Sequence, residues 1–198
     1  MEDNSENKIN IIVLGESGVG KTSLINVYFG NDFTFCTEST MVSYCLEGEM
    51  KLDKKSYTYH IWDTPGQEKY RALNKIFMKG SQIILIVYSI VSRESFNEVD
   101  FWINFAKENI GNDKYIMALV ANKIDLYENQ IVNDEEGKNI AKKYDIEFTN
   151  SSALQNPNDF INFVNRLIIN YIEKYDPSGN KKEKIKINKE SKGKKKCC

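Results

Sequence analysis

The sequence predicts an α/β protein with a doubly wound, mostly parallel sheet of six strands, in which one strand is antiparallel and helices cover both faces. The first strand is a short apolar, β-branched segment at residues 9–14, which is followed by a glycine-rich loop and a helical pattern. Residues 44–52 and 57–62 have the pattern of two strands joined by a short polar turn, which favours an antiparallel pair. Further strands, with helices between them, are expected near residues 82–88, 115–121 and 147–149.

The starts of several helices are marked by capping residues. Ser92 precedes the third predicted helix, and Asn133 precedes the next one with Glu136 three residues later, as in a capping box. Residues 156–159 open the last helix with an asparagine cap, a proline at the first position and an acidic third residue. The apolar stripe that follows, over residues 160–168, is expected to dock this helix on the sheet.

Residues 15–22 form the most informative stretch, G-E-S-G-V-G-K-T, which fits G-x-x-x-x-G-K-[ST] between a strand and a helix. This arrangement points backbone N–H groups and the positive end of a helix dipole at a phosphate. An ordinary glycine-rich turn is disfavoured because the strand, Lys21 and Thr22 are all present: the lysine would reach the β and γ phosphates and the hydroxyl would coordinate Mg²⁺. The sequence therefore predicts a P-loop NTPase fold whose loop binds phosphate through Gly15, Glu16, Ser17, Gly18, Val19, Gly20, Lys21, Thr22 and Ser23.

A second segment, residues 60–68, is an alternating strand that ends in Asp63 and a turn. A carboxylate there suits a second-shell hold on Mg²⁺, as in Walker-B sites. The backbone N–H of Gly66 would bind the γ-phosphate, and Gln67 would orient an attacking water. An isolated D-x-x-G is also a common turn, so this segment is informative only together with the others.

A third segment identifies the base. Asn122, Lys123 and Asp125 follow an apolar run at residues 116–121. A carboxylate at Asp125 accepts two hydrogen bonds from guanine N1 and N2, which adenine cannot supply, so the site discriminates between the bases. Residues 151–153, S-S-A, follow a short strand and are uninformative alone. The segments together predict binding and hydrolysis of GTP.

The order and spacing of these segments resemble a small GTPase of the Ras superfamily, and within it a Rab. The resemblance covers about residues 8–175 and also the last two residues, Cys197 and Cys198. Residues 67–71, Q-E-K-Y-R, are similar to the Rab switch II stretch Q-E-R-F-R, and residues 87–90, V-Y-S-I, to V-Y-D-I.

The resemblance implies further site residues. Phe33 of switch I would flank the guanine, and Thr40 would close over Mg²⁺ and the γ-phosphate. Ser152 and Ala153 match the S-A-K guanine loop, where Leu154 replaces the usual lysine. The implied guanine site is then Phe33, Asn122, Lys123, Asp125, Ser152, Ala153 and Leu154. The metal site is Thr22, Thr40 and Asp63, and the catalytic residues are Lys21, Thr40 and Gln67.

The resemblance also implies a monomeric switch in vesicle traffic, which would bind GTP or GDP with Mg²⁺. Its partners would be a GTPase-activating protein (GAP), an exchange factor, a GDP-dissociation inhibitor or escort protein, and effectors that contact switches I and II. No arginine finger is recognisable in the sequence, so hydrolysis without a GAP is expected to be slow.

Two departures qualify the resemblance. Rabs usually carry I-G-V-D-F where residues 41–45 are M-V-S-Y-C, so no subtype or effector is identified. Pro65 replaces the usual alanine, removes an N–H and favours extended geometry at Thr64, so switch II is expected to move more slowly. A GTP-holding scaffold with little hydrolysis is therefore an alternative. A P-loop kinase is a second alternative, but residues 122–125 argue against it.

The tail differs from the rest of the chain. We expect a disordered N-terminus at residues 1–7, a GTPase domain at 8–175 and a flexible basic tail at 176–198. Residues 181–196 hold nine lysines and two glutamates, a net charge of +7. Such a run is often a solvated tail or a nucleic-acid arm. Because Cys197 and Cys198 follow it, we predict instead two prenylation sites beside an anionic membrane surface, and no nucleic-acid partner.

The expected location follows from the absence of export signals. The first residues are acidic and polar rather than a signal peptide, and the longest apolar run, residues 115–121, is seven residues long, far short of the ~20 of a membrane span. The predicted location is the cytoplasmic face of an intracellular membrane, with cycling through the cytosol.

Overall fold

The computed structural model describes residues 8–33, 40–53, 55–67, 71–176, 195 and 196, with only the backbone for 71–73, 195 and 196. The predicted N-terminal segment and the lipid acceptors Cys197 and Cys198 lie outside these residues. The strands are β1 (Lys8–Leu14), β2 (Tyr44–Leu52), β3 (Lys55–Asp63), β4 (Ile83–Ser89), β5 (Ile116–Asn122), β6 (Glu147–Asn150) and β7 (Lys195–Lys196). The helices are α1 (Lys21–Tyr28), α2 (Arg71–Met78), α3 (Arg93–Asn97), α4 (Val99–Asn109), α5 (Asp134–Tyr144) and α6 (Pro157–Tyr175), and a 3₁₀ helix spans Ile124–Asn129.

The strands form one sheet in the order β6-β5-β4-β1-β3-β2-β7. Strands β6, β5, β4, β1 and β3 are parallel to one another, and β2 runs antiparallel to β3. This confirms the predicted six-stranded sheet with one antiparallel strand. The structure adds the two-residue β7, which pairs antiparallel with Cys45 and Leu46 of β2.

The hydrophobic core lies on both faces of the sheet because the central strands are buried on both sides. Successive side chains of a strand point to opposite faces, and β4 shows this directly. Ile83, Leu85 and Val87 belong to the cluster that α1 and α6 cover, and the alternate residues belong to the cluster that contains Trp102 of α4. None of the described helices is long and apolar enough to cross a membrane.

Two of the predicted helix starts are confirmed by their capping bonds. The Ser92 hydroxyl accepts from the Ser95 N–H at 3.1 Å and caps α3. Asn133 and Glu136 form a capping box at the start of α5, each side chain accepting from the other's N–H, at 3.0 and 2.9 Å. Each bond satisfies an N–H that the first helical turn leaves unpaired.

The start of α6 differs from the prediction in one respect. Pro157 does take the first helical position, but Asn156 makes no capping bond. Its amide instead donates to Asp159 Oδ2 at 2.7 Å, and its backbone forms an isolated bridge with Ser152. Asn156 therefore takes the predicted N-cap position, but its side chain bonds to Asp159 and does not cap the first turn.

The parallel strands place four loops at one edge of the sheet. The loops that follow β1, β3, β5 and β6 all leave the carboxyl ends of their strands. Ligands bind at this edge in open α/β sheets. The predicted motifs, although spread over about 140 residues of the sequence, are thus gathered in one region.

Candidate nucleotide-binding site

The loop after β1 has a backbone that only glycine fits. Gly15, Gly18 and Gly20 have φ angles of 137°, 75° and 97°. A Cβ on Gly15 would lie 2.1 Å from the carbonyl oxygen of Val87, and one on Gly20 would lie 2.4 Å from Nδ2 of Asn122. The loop therefore packs directly against the ends of β4 and β5, where side chains would push it away.

Lys21 is the buried cation of this loop. Its side chain is only 5% exposed, and its ammonium group donates to the carbonyl oxygens of Gly15 and Glu16, both at 2.8 Å. Burial lowers the pKa of Lys21 to about 8, although the Asp63 and Glu16 carboxylates oppose the shift. An anion beside Lys21 would raise that pKa again and stabilise the charged form, so the site is suited to a phosphate.

Three oxygen-bearing side chains meet next to Lys21. The Thr22 hydroxyl donates to Asp63 Oδ2 at 2.6 Å, the Thr40 hydroxyl reaches the same oxygen at 3.4 Å, and the two hydroxyl oxygens are 2.9 Å apart. Asp63 is fully buried, which raises the pKa of its carboxyl group, while the hydroxyl bonds and Lys21 oppose the rise. Among the described residues, Asp63 Oδ1 has no hydrogen-bond partner. An orphaned buried carboxylate oxygen beside two hydroxyls fits Mg²⁺, which prefers oxygen ligands.

The loop after β3 packs against the loop after β1. A Cβ on Gly66 would lie 2.4 Å from the backbone nitrogen of Ser17 and 2.5 Å from Lys21 Nζ. Gly66 thereby brings the backbone of this loop next to the predicted phosphate site. Gln67 follows it and is half-buried.

The loops after β5 and β6 carry the predicted guanine residues. The Asn122 amide donates to the carbonyl oxygen of Val19 at 2.8 Å and so ties β5 to the phosphate loop. The Ser152 hydroxyl donates to Asp125 Oδ1 at 2.6 Å. The same hydroxyl oxygen accepts from the backbone N–H groups of Leu154 and Gln155, at 3.1 and 2.9 Å. Asp125 is therefore held by a hydroxyl that the next loop fixes.

The remaining predicted guanine residues are Lys123, Ala153, Leu154 and Phe33. Lys123 has a left-handed backbone, with φ of 66°, and burial lowers the pKa of its ammonium group. Ala153 is buried, whereas Leu154 is 41% exposed. Phe33 is half-buried and packs against the hydrophobic cluster under α1 and α6.

Comparisons with known proteins agree with this geometry. The model of the Ras family matches residues 10–172. The Ras-related protein Rab-11B of Dictyostelium discoideum is 40% identical over 148 residues, which are 75% of this chain and 67% of that protein. RABA1b of Arabidopsis thaliana is 34% identical over 80% of this chain and 73% of its own length. Rab-11A of Dictyostelium discoideum is also 34% identical, over 79% of this chain and 73% of its own length. The chain is a Rab-like small GTPase of the Ras family.

One residue of the Rab-like fold was not foreseen from the sequence. Asn74 of α2 is fully buried, and its amide donates to the carbonyl oxygen of Pro65 at 3.2 Å. This bond holds Pro65, the residue that replaces the usual alanine of Rabs. A polar residue between apolar positions of α2 is the sequence signal that could have indicated it.

A second unforeseen residue, Tyr44, lies in the stretch where the Rab-like chain departs from other Rabs. It pairs directly with Asp63 in the register of β2 and β3, so the two side chains share a face of the sheet. Burial and the Asp63 carboxylate together raise the pKa of Tyr44. The aromatic ring thus lies at the border of the candidate metal site.

Proposed function

We propose that this chain is a GTP-binding and GTP-hydrolysing switch that regulates vesicle and membrane traffic. The observation that carries the proposal is the meeting of Thr22, Thr40 and Asp63 beside Lys21, because three separate segments supply them. Asp125 and Ser152 provide a carboxylate for the guanine at the same edge of the sheet. The family and its Rab relatives support both the ligand and the role in traffic.

Phosphate binding would rest on the loop after β1 and on Lys21. The loop backbone and the N-terminal end of α1 favour a negative charge. Lys21 already lies within the loop, where the Gly15 and Glu16 carbonyls hold its ammonium group at 2.8 Å. Phosphate oxygens would satisfy the remaining proton of that group and keep it charged.

Thr22, Thr40 and Asp63 would hold Mg²⁺. Since both hydroxyls reach Asp63 Oδ2, their lone pairs are left to face a cation. When bound, the metal neutralises charge on the β and γ phosphate oxygens. Thr40 belongs to switch I, so this contact would join the switch to the nucleotide only while the γ-phosphate is present.

Hydrolysis would proceed by in-line attack of water on the γ-phosphorus, with a new P–O bond forming as the bond to the β–γ bridging oxygen breaks. Gln67 would orient the water, Lys21 would stabilise the charge on the phosphate oxygens, and the proton of the water would end on the released phosphate. Arg93 and Arg166 are each paired with a glutamate in the structure, so we infer that neither serves as an arginine finger. We therefore infer that intrinsic turnover is slow and that a GAP accelerates it.

Attachment to membranes would use the tail. Cys197 and Cys198 are the proposed prenyl acceptors, and the lysines at 181–196 would add attraction to an anionic leaflet. Two lipid chains would give stable anchoring, whereas one chain by itself gives only marginal binding. An escort or GDP-dissociation inhibitor would extract the protein after hydrolysis.

Single-turnover hydrolysis of GTP tests the proposed reaction. The wild-type protein should convert bound GTP to GDP and phosphate, and Gln67→Leu should slow this step by at least tenfold while GTP remains bound. Equal rates in the two proteins would show that Gln67 contributes nothing and would favour the scaffold alternative. Failure of the wild-type protein to bind GTP would overturn the proposal altogether.

A further inference from the structure

Glu16 of the phosphate loop has a partner that lies 86 positions away in the sequence. The indole Nε1 of Trp102 donates to Glu16 Oε1 at 3.0 Å. Trp102 is on α4 and is 1% exposed, whereas Glu16 is half-buried. A buried indole N–H needs an acceptor, and a charged acceptor gives the stronger bond. The mechanism proposed above assigns no role to this pair.

The backbone of Glu16 is part of the cradle that holds Lys21. Its carbonyl oxygen accepts from Lys21 Nζ at 2.8 Å, and its carbonyl carbon is 2.5 Å from where a Cβ of Gly66 would lie. A rotation of the Glu16 peptide would therefore move an acceptor of Lys21 and also disturb the close contact with the loop after β3. Because the side chain and the carbonyl share one Cα, an anchored carboxylate restricts that rotation.

Trp102 is a rigid anchor. Its ring makes edge contacts with Phe101 and Phe105, at centroid distances of 5.4 and 5.8 Å, and it belongs to the hydrophobic cluster under α4. The Lys75 ammonium group of α2 lies 5.7 Å from the centroid of the Phe105 ring, so α4 also contacts the helix that follows switch II. The indole N–H thus projects from a packed helix rather than from a mobile loop.

We propose that Trp102 is a positioning residue for the phosphate site: its indole N–H fixes the Glu16 carboxylate, and through it the peptide that holds Lys21, so that bound nucleotide is released slowly. The inference rests on the proposed binding of GDP and GTP. It assigns to the first turn of α4 a part in nucleotide retention, which Trp102 would exert through its bond to Glu16.

A double-mutant cycle on GDP release tests the inference. The dissociation rate of a fluorescent GDP would be measured at fixed Mg²⁺ concentration in Trp102→Phe, Glu16→Leu and the double variant. Each single change should speed release by about three- to tenfold, as expected for the net contribution of one ordinary intramolecular hydrogen bond. The double variant should be no faster than the faster single variant, because both changes remove the same bond.

Glu16→Gln provides the matched comparison, since it keeps an acceptor oxygen. It should release GDP more slowly than Glu16→Leu, and Trp102→Phe should still speed release in the Glu16→Gln background. If Trp102→Phe has the same effect in the Glu16→Leu background as in the wild type, the ring acts by packing alone and the inference is wrong. Release from Glu16→Gln as fast as from Glu16→Leu would also overturn it.

Two further measurements separate packing from positioning. Phe105→Leu loosens the same aromatic cluster but keeps the indole N–H and Glu16, so it should lower the melting temperature and speed GDP release less than Trp102→Phe does. Hydrogen exchange of the ¹⁵N-labelled indole groups should show the Trp102 N–H protected in the wild type and in Glu16→Gln, but not in Glu16→Leu. This second test needs no bound nucleotide, so it judges the Trp102–Glu16 bond even if the proposed GTP binding fails. An unprotected Trp102 N–H in the wild type would contradict the inference.

Discussion

The Ser152 hydroxyl donates to Asp125 Oδ1 at 2.6 Å and fixes the carboxylate that is proposed to recognise guanine. Ser152 is itself 1% exposed and accepts from two backbone N–H groups, so it has little freedom to turn. Asp125 is therefore oriented by a residue from a different loop. A carboxylate in a fixed orientation discriminates between bases better than a mobile one, because less entropy is lost when its hydrogen bonds form.

Exchange of the carboxylate at Asp125 for an amide should change which base is bound. We expect Asp125→Asn to weaken GTP on the order of a hundredfold, because two hydrogen bonds to a charged acceptor are lost, and to favour xanthosine nucleotides. Competition binding with GTP and xanthosine triphosphate measures both effects. Ser152→Ala is the control: it should weaken both nucleotides and keep the preference for guanine. Unchanged GTP affinity in Asp125→Asn would refute the guanine assignment.

Substitution of Pro65 should alter the mobility of switch II. Proline stiffens this loop and removes a donor, so Pro65→Ala should raise intrinsic or GAP-stimulated hydrolysis by a few-fold, since ~1 kcal/mol of positioning corresponds to about fivefold in rate. Single-turnover kinetics would measure it.

Asn74→Ala is the companion variant, because it frees the same Pro65 carbonyl and leaves the proline in place. It should cost stability, as the loss of a buried hydrogen bond does. A slower rate in Pro65→Ala would show that the proline aids catalysis in this protein.

Nucleotide affinity should depend on pH through Lys21. In the free protein its pKa is lowered to about 8, and a bound phosphate favours the charged form, so binding takes up a proton above that pH. Affinity for GDP should be flat below about pH 8 and fall by up to tenfold for each further unit of pH. Equilibrium titrations between about pH 7 and 9 would show the break.

Lys21→Arg supplies the control for this pH dependence. An arginine stays charged over the whole range, so the variant should bind GDP more weakly but without the break near pH 8. Stability of the free protein should change in the opposite direction. Because the unfolded chain holds the Lys21 proton up to its ordinary pKa of 10.5, the free energy of unfolding should rise with pH from about 8 to 10.5. A wild-type GDP affinity that stays constant to pH 9 would contradict the account of Lys21.

Deletion of Cys197 and Cys198 should separate nucleotide binding from membrane binding. GDP and GTP should bind as before, while the protein moves from the membrane to the cytosolic fraction. Replacement of the nine tail lysines by glutamine should weaken membrane binding less, and in a way that disappears at high salt. Mass spectrometry of the cellular protein reports the lipid directly: two unmodified thiols on a membrane-bound protein would exclude prenylation.

The sequence alone was sufficient to predict the sheet, the glycine-rich loop between β1 and α1 and the capping box at Asn133. These features depend on residues that are close together in the chain, so spacing and residue type determine them. The prediction for Asn156 was also local, and the residue does take the N-cap position. Its side chain makes no capping bond, which residue type and spacing alone do not decide.

Contacts between side chains of different elements were decided by the tertiary structure. The sequence shows Trp102, Asn74 and Tyr44 as ordinary apolar or polar positions, yet the fold places them against Glu16, Pro65 and Asp63. No spacing rule connects residues that are 86 positions apart, because such pairs meet only after the sheet has formed and helices have packed on both its faces. The sequence therefore determined which side chains the loops carry, and the packing of α2, α4 and β2 determined how those side chains are held.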